Sequence, residues 1–456
     1  MSTIPQPIPA SPSTVTYVEN EDPHLFQRAR TWWMLLALFL VAQGNGLFTR
    51  QDDTYWSLKG LNQDFESSPI LQLLTAVTWV ICAVLMFKRL TSSVRLMSHH
   101  KALLAYVTLA FLSTLWSEEP SLTFRRAMLL CLAFLFAWFF ADYYSPADQR
   151  RILIAAGVVV ALASIAMAVL LPQYGISSGG EWKGVFGQKN RLGLSIFFLF
   201  SGLPFRKISG SRELLKLALQ SLLPLGLIVL SQSKTSLIMV LVLIVVRVLG
   251  PFISRARRDQ LPFILYATVF AVIVTPLITV AARDIILPLL GRDSTLTGRT
   301  EHWGLLLSYA FQHFWLGYGY QAFWTGTGDS LAVIKEVGAT MKGADSGYLD
   351  TMLQFGAAGM VLLLVIFLVA VRDFLKLFRT RSVPLAGYWY ASLIIATFVG
   401  SVTEILFLVP NGVITFVFVV GCAGLRTLSN ESSSAMITVT VDSVGHAANA
   451  SSTVRA

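Results

Sequence analysis

The stretch AARDIILPLLGRDSTLTGRTEHWGLLLSYAFQHFWLGYGYQAFWTGTGDSLAVIKEVGATMKGADSGYL (residues 281–349) is the one long polar segment set between two hydrophobic ones. It carries Arg283, Arg292, Arg299, Lys335 and Lys342, with Trp303, Trp315, Tyr318, Tyr320 and Trp324 between them. Trp303, Leu306, Leu307, Ala310 and Phe314 recur at helical spacing, which predicts an amphipathic helix beginning near Arg299. A polar insert between apolar runs is expected outside a bilayer, and the chain on either side of it supports that setting.

Of 456 residues, 55% are hydrophobic and 13% charged, against about 25% charged in a soluble domain. A membrane span needs about 20 mostly apolar residues. Candidates run at 32–48, 69–87, 102–116, 127–140, 152–171, 192–205, 214–230, 236–253, 261–282, 348–371, 385–403 and 405–425. The fold class expected is therefore all-α: a polytopic helical membrane protein of about 12 transmembrane helices. Every second loop is basic: Lys88 to Lys101, Arg150 and Arg151, Arg206 to Lys216, Arg247 to Arg258, and Arg372 to Arg381. Such loops stay in the cytoplasm, so both termini are expected there, and residues 283–347 form one long periplasmic loop with amphipathic helices. This asymmetry accounts for the net charge of +10 without a nucleic-acid partner.

Residues 1–30 are polar and rich in Pro and Ser, with no apolar core of a signal peptide, and are expected to be a disordered cytoplasmic tail. Residues 31–428 form the membrane domain, and 429–456, rich in Ser, Ala, Thr and Val, a second disordered cytoplasmic tail. Cys82, Cys131 and Cys422 lie in apolar runs and read as packing residues. His302 and His313 have no carboxylate or Cys company, so no metal site is expected.

The orientation makes some cations conspicuous. Lys189, Arg191, Lys234 and Arg299 fall on the outer side, at or beside span ends. One such cation is explained by snorkelling to the headgroups. Several together suggest an anion. GVFGQKNRLGLS sets Lys189, Asn190 and Arg191 before a span, SQSKTSL sets Lys234 among hydroxyls, and TLTGRTEHW sets Arg299 at a helix start. Helix N-termini attract phosphate, and Arg binds its oxygens in pairs. A diphosphate head on a lipid tail fits these three sites.

GVFGQKNRLG, SQSKTSL, GRTEHW with FWLGYGYQAFW, and DSGYLDTMLQFGAAG follow one another in that order. Together they resemble the O-antigen ligase and Wzy-type polymerase family, especially exopolysaccharide polymerases of rhizobial type, over residues 100–425. The resemblance implies a glycosyltransferase of the bacterial inner membrane, with its active site facing the periplasm. It would take sugar chains from undecaprenyl diphosphate and pass them to an acceptor hydroxyl, with no cofactor, nucleotide sugar or metal. Lys189, Arg191, Lys234 and Arg299 would hold the diphosphate, and Asn190, Trp303, Tyr318, Tyr348 and Glu404 are candidate acceptor or sugar contacts. Membrane lipids, a flippase and a chain-length regulator are the partners implied.

Where the family's outer-loop motif often has His, this chain has Asp345. A carboxylate is ionised at neutral pH and can accept the acceptor's proton, so Asp345 and Arg299 are the candidate catalytic pair. Asp345 also suits the cap of the next helix. Glu404 reads as a substrate contact or a turn carboxylate. The aromatics at 315–324 read as sugar platforms or an interface belt. Polymerase and ligase share this chemistry, and a lipid or sugar transporter is the rival from another class.

Overall fold

The computed structural model describes residues 33–38, isolated positions from 77 to 91, and 97–254, 299–325, 328–337, 343–379, 383–409 and 412–432. The expected span at 261–282, most of those at 32–48 and 69–87, both expected tails apart from 429–432, and Arg283, Arg292 and Lys342 lie outside the described residues.

The described chain is helical. It comprises α1 (Lys101–Leu112), α2 (Pro120–Tyr143), α3 (Pro146–Leu170), α4 (Lys189–Phe200), α5 (Ser211–Leu230) and α6 (Lys234–Ser254). After these come α7 (Arg299–Gln312), α8 (Gly328–Val337), α9 (Gly347–Arg379), α10 (Leu385–Gly400) and α11 (Val413–Ser432). Local chemistry sets the starts. Pro120 and Pro146 open α2 and α3, where the missing N–H costs nothing. The Ser145 hydroxyl caps α3 by accepting from the Asp148 amide at 3.2 Å. Six helices, α2, α3, α5, α6, α9 and α11, are long and apolar enough to cross a membrane, as in a multi-pass membrane protein.

Side-chain contacts sort the helix ends into two groups. At one end Tyr390 donates to Gln149 Oε1 (2.8 Å), Trp389 Nε1 to Ser201 Oγ (3.0 Å), Arg247 Nε to the Pro204 carbonyl (2.8 Å), and Arg426 pairs with Asp373 (2.8 Å). Arg150 lies over the Trp389 ring, 5.7 Å from its centroid. This is the basic end. At the other end the 313–325 loop meets α1 and α2: Trp116 Nε1 donates to the Leu316 carbonyl (3.1 Å), the Tyr320 amide to Ser113 Oγ (3.0 Å), and Arg126 to the Gln321 carbonyl. Consecutive long helices run between the two ends in alternating directions. Packing between them is aromatic: Phe136 and Phe140 of α2 face Phe416 of α11 at 4.8 and 5.2 Å.

Four spans differ from the sequence reading. The 127–140 span is part of a 24-residue helix. The 192–205 span is a 12-residue helix, about 18 Å long, well short of a bilayer core of about 30 Å. The 348–371 span belongs to α9, which is broken at Gly356 (φ 58, ψ −151). The 405–425 span starts only at Val413, because the Val-Pro-Asn-Gly run 409–412 interrupts the apolar stretch. That last helix reaches Ser432, past the boundary at 428, and Ser429 is fully buried.

At the end opposite the basic one, the start of α4 meets the end of α10, at 16 residues a helix of about 24 Å.

Candidate functional site

The candidate site is organised by the turn that follows α10. Glu404 N bonds the Gly400 carbonyl at 3.0 Å, which folds residues 401–404 back over the helix end. Three other segments fasten to this turn. Asn190, second residue of α4, donates from Nδ2 to Glu404 Oε1 at 2.5 Å. Thr235, second residue of α6, shares a 2.9 Å hydrogen bond with Thr403. Gly347, first residue of α9, donates its amide to the carbonyls of Ser401 (2.7 Å) and Glu404 (3.0 Å). The motifs around residues 190, 234, 347 and 404, far apart in sequence, thus meet at one place.

Their cations fall beside the turn. Arg191 is exposed and in electrostatic contact with Glu404. Lys234 is exposed at the start of α6. The neighbouring hydroxyls are not arranged around Lys234. Ser231, Ser233 and Ser236 are fully buried, and Ser233 and Ser236 bond each other at 2.8 Å. A Cβ at Gly193 would come within 2.7 Å of Ser233 Cβ and Ser236 Oγ, so these small residues let α4 pack against the 231–236 turn.

Lys189 is already paired. Its ammonium lies 2.7 Å from Glu181 Oε1. That bond and a second from Ser177 Oγ hold the Glu181 carboxyl well below its ordinary range, at about 2.

Asp345 precedes α9 by two residues, and its backbone is left-handed (φ 49). The position directly before the helix is Ser346. A non-glycine residue with positive φ is uncommon, and Asp tolerates it better than most. Arg299 begins α7, as expected. Trp303 of α7 donates from Nε1 to the Ala344 carbonyl at 2.8 Å, which docks α7 beside Asp345. Between α7 and the start of α9 lies a groove of about 390 Å³, lined by Trp303, Leu307, Phe311, Phe314, Tyr348, Leu349, Met352 and Met360, with Ser346 at its edge.

The aromatic stretch 315–324 is divided: Trp315 is exposed, and most of the other rings turn inward. Tyr318, Tyr320 and Phe323 are buried. The backbone of this stretch occupies the break in α9: Tyr318 N bonds Leu353 O (2.8 Å), Gly319 N bonds Gln354 O (2.9 Å) and Ala357 N bonds Phe314 O (2.7 Å). Polar backbone freed at a helix break must find partners inside a membrane protein, and this loop supplies them. Tyr318 OH donates to Asp329 Oδ2 at 2.8 Å, and burial and that bond push its phenol up. Tyr348 OH donates to the Phe398 carbonyl at 2.9 Å. Both hydroxyls are thus engaged within the protein.

Two carboxylates support this architecture. Asp350, buried in α9, accepts from Trp324 Nε1 at 3.0 Å and from Gln354 Nε2. Asp350→Ala strands both donors, and each buried unmade donor costs about 1–3 kcal/mol, so a loss of roughly 2–5 kcal/mol is expected in a thermal melt of the detergent-solubilised protein. Glu118 approaches α8, where a Cβ at Gly328 would lie 2.7 Å from its Oε2. Burial, and then Asp329, raise the Glu118 pKa. A carboxyl raised on folding favours the folded state below its ordinary pKa and opposes it as pH rises through the raised value. Glu118→Gln is therefore expected to raise the melting temperature at pH 7 and leave it unchanged at pH 4.

The structure brings the segments bearing Asn190, Arg191, Lys234 and Asp345 to the turn bearing Glu404 and docks Trp303 beside Asp345. It gives Lys189 to Glu181 and buries the side chain of Tyr318 away from the turn. Glu181 and Asp350 escaped the sequence reading, although both were in view: Glu181 lies in the Gly-rich run before Lys189, and Asp350 lies inside DSGYLDTMLQ.

No curated protein shows a significant match to the chain. Residues 219–364 match the family model Wzy_C, described as O-Antigen ligase. The matched segment contains Lys234, Arg299 and Asp345, while Asn190, Arg191 and Glu404 join them only through the fold. Over this segment the chain is similar to the O-antigen ligase family.

Proposed function

We propose that the protein is an inner-membrane glycosyltransferase that joins undecaprenyl-diphosphate-linked repeat units into an exopolysaccharide at the periplasmic face. The observation that carries this reading is the convergence of Asn190, Arg191, Lys234 and Asp345 on the turn bearing Glu404, at one end of a helical bundle. The alternate basic loops favour the opposite end as cytoplasmic. In the reaction, an acceptor hydroxyl oxygen attacks the anomeric carbon of the donor sugar. The bond from that carbon to the diphosphate oxygen breaks, and the hydroxyl proton passes to Asp345. The departing diphosphate gains a negative charge, which Arg191, Lys234 and Arg299 neutralise. Glu404 holds Asn190 in place beside Arg191. The apolar groove between α7 and α9 suits the isoprenoid chain.

The similarity to the O-antigen ligase family supports a second reading, in which a finished glycan is passed to a different acceptor. Donor and chemistry are then the same. A transporter reading fits less well, since a midplane site on broken helices is expected there and this site lies at one end of the bundle.

The test is purified protein in detergent with the lipid-diphosphate-linked repeat unit, without nucleotide sugar or added metal, beside Arg299→Ala. A ladder of lengthening chains in the wild type, lost in the variant, is expected. A single transfer, seen only when a second acceptor is added, would replace the polymerase with the ligase. No transfer to any acceptor would reject the enzyme reading.

A further inference from the structure

The cation that the sequence assigns to the diphosphate is already held by a carboxylate of the same chain. Glu181 is not placed by accident of a mobile side chain. It closes a small hairpin in which Ile176 and Trp182 form an antiparallel bridge and Ser177 N bonds the Glu181 carbonyl at 2.9 Å. Trp182 N bonds the Leu230 carbonyl at 3.0 Å, which ties the hairpin to the end of α5, just before the turn bearing Lys234. Lys183 and Gly184 both donate their amides to the Gly175 carbonyl at 2.9 Å and fix its base. Ser177 Oγ orients the carboxylate. The carboxylate is therefore presented to Lys189, whose neighbour Asn190 is in the site.

From this geometry we infer that Glu181 competes with the substrate's diphosphate for Lys189: it holds the ammonium in the empty site, yields it when the donor binds, and takes it back as undecaprenyl diphosphate leaves. The inference rests on the diphosphate reading above. The pair is open enough to exchange, with Lys189 39% and Glu181 18% exposed, and ion pairs that water reaches hold weakly. A diphosphate carries more negative charge than one carboxylate, and Arg191 stands one residue from Asn190 to share it. Release is the harder step. Cleavage of the sugar–oxygen bond leaves the free diphosphate with one more negative charge than the glycosylated donor, so a fixed cationic site binds product more tightly than substrate. A carboxylate that recaptures one cation offsets this and speeds turnover.

The test measures binding of undecaprenyl diphosphate and of undecaprenol to the full-length protein in detergent, with steady-state kinetics on the lipid-linked repeat unit. Glu181→Gln keeps the shape and the Ser177 contact but removes the charge. It is expected to tighten undecaprenyl diphosphate binding by roughly 3- to 10-fold, to lower KM and to lower kcat through slower release. Undecaprenol binding stays unchanged. In a Lys189→Met background the same change has no effect on diphosphate binding, because the competitor has lost its object. Ser177→Ala, which loosens the carboxylate and keeps its charge, gives a smaller change in the same direction. Unchanged affinity in Glu181→Gln, an equal change in the Lys189→Met background, or an equal change in Ser177→Ala each overturns the inference while leaving the enzyme reading intact. A wild type that binds undecaprenyl diphosphate no better than undecaprenol overturns the diphosphate reading, and this inference with it.

Discussion

Gly356→Ala is expected to cost roughly 3 kcal/mol or more and to lower the melting temperature by several degrees. Gly356 sits at φ 58, ψ −151, a combination that residues with a Cβ hardly adopt. The added carbon has no space. It would land on the Phe314 carbonyl and lie 2.6 Å from the Trp315 carbonyl carbon. Both belong to the backbone of the loop that fills the helix break, so neither can rotate away. Moving the loop would unmake the Ala357–Phe314 and Tyr318–Leu353 hydrogen bonds and leave polar backbone unpaired in an apolar setting. Gly226 is the control. It lies within α5, and a Cβ there meets nothing within 4 Å. Gly226→Ala should be neutral or slightly stabilising. Equal melting temperatures for Gly356→Ala and wild type would show that the break in α9 is not a fixed feature.

The second large effect concerns Asp345. Asp345→Asn is expected to lower kcat about 100-fold or more, the ordinary contribution of a general base, while donor binding stays as in the wild type. The substitution separates chemistry from structure cleanly. Asn matches Asp in shape and tolerates the left-handed backbone at this position at least as well. The melting temperature should therefore not move. What changes is the ability to accept a proton, because an amide at neutral pH cannot. Retention of activity within a few fold would remove Asp345 from the mechanism and shift attention to Glu404, whose carboxylate already accepts from Asn190. Under that outcome Asp345 is a turn residue, and Glu404→Gln becomes the variant to assay.

The division between sequence and structure follows from the range of the forces involved. Composition and the alternation of basic loops were sufficient for an all-helical membrane protein, because burial of apolar side chains and the bias of Lys and Arg act segment by segment. The cationic motifs were legible for the same reason: Lys189, Arg191, Lys234 and Arg299 each break a local rule. Local pattern failed where partners come from elsewhere in the chain. An apolar run does not show that α4 is too short to span, nor that α11 begins only at Val413. The aromatics of 315–324 look like an interface belt until the break at Gly356 gives their backbone a partner.

Sequence by itself determined the class of the protein and the residue types available opposite the basic loops. Only the tertiary structure decided which of those residues meet. Asn190 reaches Glu404 across 214 positions of sequence, Gly347 donates to the same turn, and Lys189 is drawn to Glu181. Hydrogen bonds and ion pairs need atoms within about 3 Å, and that proximity is set by how short and long helices pack, which no single segment encodes.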